Sequence, residues 1–368
     1  MATPSEQRWW TLPRRDLLLL PLIALATFAA LLVPAELFVR ERNPSALLDA
    51  CVVATPSTVN HGKPNCVSRT KTAEGPWVIN RYNECGYRTP ESCGPKPPGS
   101  LRVAVIGSST AAGYLTPYDE TMAARSARAL TARCKRPVEF QNLGAYGNLG
   151  QRMVVAAEEA MPLDLDALVI PIAPFDFEPS GAGAEIGAKP EAHSNPLRRI
   201  RERISSSSLL YMESYYLLRD DASYLPVYLG LGHGADFMRT PMPDGWRRRV
   251  EEFDAALARI AALARARSVP VLLVFIPQRA EAVLATSSRS NPEFHPAAFP
   301  RMLARIAQKH GVAFVDITPE IPRNLPSAEM FYAVNSHINA RGHELVSRAI
   351  VREMTGPAIA SFAGKCGA

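Results

Sequence analysis

From Leu17 to Ala35 the chain carries no charge and only Thr27 as a polar side chain. An apolar run of that length crosses a hydrocarbon core as a helix, so a membrane span is predicted within residues 1–40. Arg8, Arg14 and Arg15 precede the run and Trp9 and Trp10 stand at its edge, which predicts a cytoplasmic N-terminus and an exported remainder. Arg40 and Arg42 on the far side reduce that asymmetry. Two other readings are a cleaved signal peptide ending near Val33-Pro34-Ala35 and a twin-arginine export signal at Arg14-Arg15. The run is longer than a signal peptide's apolar region and richer in Leu than a twin-arginine signal, which favours an uncleaved anchor. Pro21 is compatible with a spanning helix.

Beyond the span the pattern changes twice. Residues 41–100 are rich in Pro, Gly, Asn and Cys with weak periodicity, and read as a disulfide-pinned lead-in. After Pro97-Pro98-Gly99-Ser100, the run Leu101-Arg102-Val103-Ala104-Val105-Ile106 has the short, β-branched character of a buried parallel strand. Similar runs recur at residues 138–143, 167–172, 269–276 and 312–317, separated by helix-patterned stretches such as 121–133 and 246–267. Strands alternating with helices predict a three-layer α/β/α domain on a parallel sheet. Residues 177–244 break the rhythm with Gly, Pro, Ser and Tyr, and read as an insertion over the sheet's C-terminal edge, where open α/β folds bind ligands. The predicted organisation is therefore an anchor (1–40), a lead-in (41–100), a main domain (101–357) with that insertion, and a C-terminal tail (358–368).

Composition narrows the function classes. An apolar share of 47% and a charged share of 21% are those of a chain that builds a sizeable core. The net charge of +6 is interleaved with acidic residues and forms no aromatic-laced basic stripe, so nucleic acid is not an expected partner. The one local basic cluster, Arg198, Arg199, Arg201 and Arg203, reads as a solvated helix face. All six cysteines follow the span, where an oxidising compartment allows them to pair. Short separation suggests Cys51 with Cys66 and Cys85 with Cys93. No C-x-x-C spacing is present, and neither a metal nor another cofactor is expected.

Three short segments carry candidate chemistry. Gly107-Ser108-Ser109-Thr110-Ala111-Ala112-Gly113 follows the first strand of the main domain, a turn from which a serine can project beside free N–H groups. Asn142-Leu143-Gly144-Ala145-Tyr146-Gly147-Asn148 follows the second, and Gly147 permits close backbone approach to a ligand. Asn335-Ser336-His337-Ile338-Asn339-Ala340-Arg341-Gly342-His343 precedes a closing helix and offers a loop histidine as a base. Each alone is commonplace, since Gly/Ser turns are frequent connectors and loop histidines are mostly surface or hydrogen-bonding residues.

In this order, VIGSSTAAGY, NLGAYG and NSHINARGHEL resemble the nucleophile, oxyanion-glycine and histidine blocks of the SGNH/GDSL hydrolase superfamily. The lead-in VINRYNECGYRTPE is similar to the segment before the nucleophile block in bacterial membrane-anchored members. The resemblance covers about residues 77–355 and implies a flavodoxin-like α/β/α fold. It implies Ser109 as nucleophile, His337 as general base, and the N–H groups of Gly147 and Ser109 as oxyanion donors. Three features depart from the family pattern. Ser108 stands where Asp or Glu is usual. Phe175, in Ala173-Pro174-Phe175-Asp176, replaces the oxyanion-hole asparagine, and Val334 and Asn335 occupy the positions of the triad acid. Asn335, Asp176, Asp316 and Glu329 are the alternatives for the third member. Tyr114, Asn148, Gln151 and Asn339 are polar candidates for the pocket or for turns and caps, and His343 reads as structural.

The implied activity is that of a serine esterase or O-acyltransferase acting on acylated cell-envelope carbohydrate. Its expected place is the bacterial inner membrane, with the main domain on the periplasmic side. A second reading is a catalytically inactive protein of the same fold that binds glycan or assists polysaccharide assembly, and a third is an unrelated anchored α/β domain.

Overall fold

The computed structural model describes residues 13–42, 46–47, 49–52, 62–72, 74–145, 152–177, 208–230, 233–286, 292–323 and 325–367. Arg8, Trp9, Trp10, Gly147, Asn148, Gln151 and the Arg198–Arg203 cluster lie outside the described residues.

Helix α1 spans Arg14–Arg42 and extends past the apolar run at both ends. Within it, Leu18–Glu41 holds an 18-residue stretch with a mean hydropathy of 2.4, long and apolar enough to cross a membrane. Leu18, Leu25, Phe28 and Leu31 are exposed on it, a surface suited to lipid.

The lead-in holds more regular structure than its composition suggested. Strands β1 (Ala46–Leu47), β2 (Val67–Thr72) and β3 (Val78–Arg81) form a three-stranded antiparallel sheet. Disulfides join Cys51 to Cys66 and Cys85 to Cys93, the two short-range pairs expected. A third joins Cys134 to Cys366 across 232 residues.

Strands β4 (Leu101–Val105), β5 (Val138–Asn142), β6 (Ala167–Ile172), β7 (Val271–Phe275) and β8 (Ala313–Asp316) form a parallel sheet in the order β5-β4-β6-β7-β8. Counted within the sheet this is 2-1-3-4-5, the flavodoxin-like doubly wound order. The predicted strands form in each case and end within two residues of the apolar runs. β4, β6 and β7 are buried along their whole length, because helices cover both faces.

The helices sort by face. After the single turn α2 (Ser109–Ala112), α3 (Met122–Cys134) starts from a Thr121 cap whose hydroxyl accepts from Ala124 N. α4 (Arg152–Ala160) follows β5. The insertion contains α5 (Ser208–Arg219) and α6 (Asp221–Gly230). Next come α7 (Asp244–Arg265), α8 (Arg279–Thr286), α9 (Ala298–His310), α10 (Ala340–Met354) and α11 (Ala360–Gly367). Leu168 and Ile170 pack toward Ile260, Phe299 and Leu303 of α7 and α9 on one face. Val103 and Val105 pack toward Leu130, Val346 and Ile350 of α3 and α10 on the other.

Residues 358–368, expected as a tail, instead supply α11, whose Phe362 is fully buried against the second core. Burying such a side chain contributes roughly 1.5–3 kcal/mol, and the Cys134–Cys366 bond ties the same helix to the end of α3.

Candidate active site

The strand order reverses between β4 and β6, so a crevice opens beyond their carboxyl ends. Ser109 follows β4 and Phe175 and Asp176 follow β6, placing both connections at that point.

Two glycines make the turn that carries Ser109 compact. A Cβ on Gly107 would stand 2.5 Å from Ala111 Cβ and 3.1 Å from the Pro171 carbonyl, so only glycine lets α2 start against β6. A Cβ on Gly144 would lie 2.3 Å from Ala112 N, so the β5 loop also presses directly onto α2. Ser109 therefore heads a short, tightly held helix, where the first N–H groups have no intrahelical acceptor.

His337 arrives from a loop shaped by backbone bonds. Tyr332 N donates to the His337 carbonyl at 2.8 Å and Ser336 N donates to the Tyr332 carbonyl at 3.0 Å. Ser336 takes φ 63°, the left-handed region rarely adopted by side chains other than glycine, asparagine or aspartate. This turn places His337 Nε2 2.7 Å from Ser109 Oγ, across 228 residues of sequence. On the other side of the ring, Nδ1 lies 2.5 Å from Asn335 Oδ1. An amide oxygen only accepts, so this contact holds the proton on Nδ1 and leaves the Nε2 lone pair facing the serine.

The surroundings of the imidazole are largely aromatic. The Tyr114 ring centroid is 5.1 Å away in an edge arrangement, and the Phe175 ring is 5.6 Å away and tilted. Burial pushes the His337 pKa down to about 4, opposed by its bond to Asn335. The ring is thus a neutral base at neutral pH. Burial also raises the Tyr114 hydroxyl above its ordinary value.

The remaining candidates fall elsewhere. Asp176 is buried, and its Oδ2 accepts from Ala173 N at 2.8 Å, shaping its own turn. Burial pushes its carboxyl up to about 7, against the lowering effect of Ser108 and Ala173 N. Asp316 accepts from Thr318 N at 2.8 Å, and Glu329 pairs with Arg341. Asn339 caps α10 by accepting from Arg341 N and Gly342 N. His343 is fully buried and its Nδ1 accepts from Met122 N at 3.3 Å; burial, chiefly, lowers its pKa to about 3. The group on His337 Nδ1 is therefore Asn335, and none of these three carboxylates is bonded there. Gly147 and Asn148 lie outside the described residues.

Two charged residues of the lead-in reach this site without a local signature. Arg88, buried, donates to the carbonyls of Ala112 and Gly113 at 2.6 and 2.8 Å and to that of Thr116 at 2.8 Å, closing the C-terminal end of α2. Glu74, also buried, accepts from Val334 N at 3.0 Å and Asn335 N at 2.8 Å. Arg88 falls within the VINRYNECGYRTPE resemblance. Glu74 stands in a plain Glu-Gly turn that offers no signal.

No protein-family model and no curated protein matches the chain. Among solved structures it is similar to TesA, at 13% identity over 68% of this chain and 96% of that one, with a TM-score of 0.38. It is also similar to a lipase/acylhydrolase from Enterococcus faecalis, at 14% identity over 69% and 95% of the two chains, with a TM-score of 0.38. AlinE4, an SGNH-hydrolase family esterase, has 14% identity over 60% and 77%, with a TM-score of 0.32. The chain's own strand order is the flavodoxin-like doubly wound one, with the serine block after β4, the glycine block after β5 and the histidine block before α10, the order in which these blocks resemble those of the SGNH/GDSL hydrolases.

Proposed function

We propose that this protein is a membrane-anchored serine esterase or O-acyltransferase that acts on acylated cell-envelope carbohydrate through an acyl-enzyme on Ser109. The observation that carries the reading is the 2.7 Å approach of Ser109 Oγ to a His337 ring whose burial keeps it neutral. The Ser109 proton passes to Nε2 as Oγ bonds to the acyl carbon, and Nε2 returns it to the leaving oxygen as the ester C–O bond breaks. Water or an acceptor hydroxyl then attacks the acyl-enzyme, giving its proton to Nε2, which returns it to Ser109 as the acyl group departs. The Ser109 N–H and that of Gly147 are the proposed oxyanion donors. No cofactor enters the scheme.

The substrate class follows from the setting. Helix α1 is proposed to anchor the chain in the bacterial inner membrane, and disulfides on the other side of the span suit a periplasmic domain. Acylated polysaccharide is the ester that such a domain meets. A reporter fused after Ala368 checks the topology: activity confined to the cytoplasm overturns it.

Phe175 and Asn335 favour one second reading, an inactive glycan-binding protein of the same fold. A fluorophosphonate probe separates the two, because it phosphonylates only an activated serine. Labelling of the full-length protein that disappears in Ser109→Ala, with turnover of p-nitrophenyl acetate and of acetylated polysaccharide falling in parallel, is the expected result. Equal rates for both proteins and no labelling of either overturn the enzymatic reading.

A further inference from the structure

The β2–β3 turn of the lead-in is packed against the loop that carries His337. At its tip, Gly75 has φ +76°, and a Cβ there would come within 3.1 Å of the Tyr332 hydroxyl, so the turn lies flat on the Tyr332 ring. Lys71 Nζ donates to the Gly75 carbonyl at 2.6 Å and Thr72 Oγ1 to the Glu74 carbonyl at 2.6 Å, which fixes the tip. The Glu74 side chain then reaches forward, with Oε1 accepting from Val334 N and Oε2 from Asn335 N. Tyr211 of α5 donates a third bond to Oε2 at 3.0 Å. A carboxylate accepting from adjacent backbone N–H groups is a charge-assisted clamp, and two such bonds fix orientation as well as position.

The clamped residues are those that set the base. Asn335 bonds the imidazole, and Val334 and Asn335 open the left-handed turn at Ser336 that aims His337 at Ser109. The same lead-in also supplies Arg88, which closes α2 behind Ser109. One covalently pinned segment thus grips the nucleophile turn with a buried cation and the base loop with a buried anion. The 2.7 Å interval between Oγ and Nε2 depends on where these two grips hold their loops.

We propose that Glu74 is a positioning residue of the active site, acting through Asn335 and His337. The lead-in is accordingly part of the catalytic unit rather than a spacer between membrane and enzyme. Position is what is at stake, because a displacement of about 1 Å in a reacting group costs on the order of 10²-fold in rate. Glu74 is buried and bonded to Val334, Asn335 and Tyr211, so its loss is expected to act on turnover and leave KM in place.

This inference rests on the serine-esterase reading above, and the test distinguishes the two. Full-length wild type, Glu74→Gln, Glu74→Asp and Arg88→Lys are reconstituted in nanodiscs, and their unfolding temperatures are measured. Fluorophosphonate labelling rates and kcat and KM for p-nitrophenyl acetate are then followed across pH. Glu74→Gln turns an amide NH₂ toward one of the two backbone N–H donors. It is expected to slow labelling and kcat by about ten- to a hundredfold at unchanged KM, with a displaced pH midpoint, since the environment of His337 changes. Glu74→Asp, which keeps the charge, should recover part of that loss. Should Glu74→Gln fail to fold, Glu74→Asp and Arg88→Lys carry the comparison, each expected to lower kcat at unchanged KM. Wild-type labelling with identical kcat and pH midpoint in all folded variants overturns the positioning role and leaves the esterase reading intact. No labelling of wild type overturns the esterase reading itself.

Discussion

Asn335 Oδ1 lies 2.5 Å from His337 Nδ1, in the place where a serine-hydrolase triad holds a carboxylate. The amide fixes the tautomer and orientation of the ring as a carboxylate would. It carries no charge, so in the proposed acyl transfer the imidazolium would lack its usual stabilisation. The wild-type site is therefore oriented but electrostatically incomplete.

Asn335→Asp should raise kcat on p-nitrophenyl acetate. Replacing the triad aspartate by asparagine in serine proteases costs about 10⁴-fold, which bounds the gain from the reverse change. Steady-state kinetics of the two proteins check this, and an unchanged or lower kcat with intact folding indicates that the site is not limited by the missing charge.

Rate should depend on pH through His337. The base is active when neutral, and burial holds its pKa at about 4. The kcat/KM of wild type should consequently stay level as pH falls past 6.5 and drop only near pH 4. Asn335→Asp places an anion beside the ring, favours the imidazolium and should move the midpoint upward. A wild-type midpoint at or above 6.5 contradicts the buried, neutral base.

Phe175 stands where the SGNH/GDSL resemblance implies a side-chain oxyanion donor, with its ring 5.6 Å from that of His337. Phe175→Asn should speed acylation by up to about 10²–10³-fold, the usual worth of one such donor. Stopped-flow acylation with p-nitrophenyl acetate measures it. A slower variant that still melts at the wild-type temperature indicates that the ring contributes packing to the base instead.

The Cys134–Cys366 bond closes a loop of 232 residues that contains β5, β6, β7 and β8. Replacing both cysteines by serine should lower unfolding free energy by about 2–5 kcal/mol, mostly through the freed unfolded chain. Denaturant unfolding of the double variant tests it, and an unchanged midpoint and slope speaks against that contribution.

The helix, the strands and the order of the chemical blocks were legible in the sequence because each is a local pattern. An uncharged apolar run becomes a spanning helix whatever follows it, and short β-branched runs such as Leu101–Ile106 become buried strands wherever helices alternate with them. The Gly-Ser-Ser turn after β4 announces itself for the same reason. What stands around that turn was decided by tertiary structure alone. Asn335 stands at a triad-acid position and Asp176, Asp316 and Glu329 are possible substitutes by sequence alone, and only the Ser336 turn shows that Asn335 is the one on His337. The bond from Asn335 N to Glu74 spans 261 residues and that from Ser109 to His337 spans 228. Such contacts have no period and no spacing rule. They arise when strand order, sheet twist and a disulfide-pinned hairpin bring distant backbone donors and carboxylates within hydrogen-bond reach, a condition set by the closed fold rather than by any stretch of the chain.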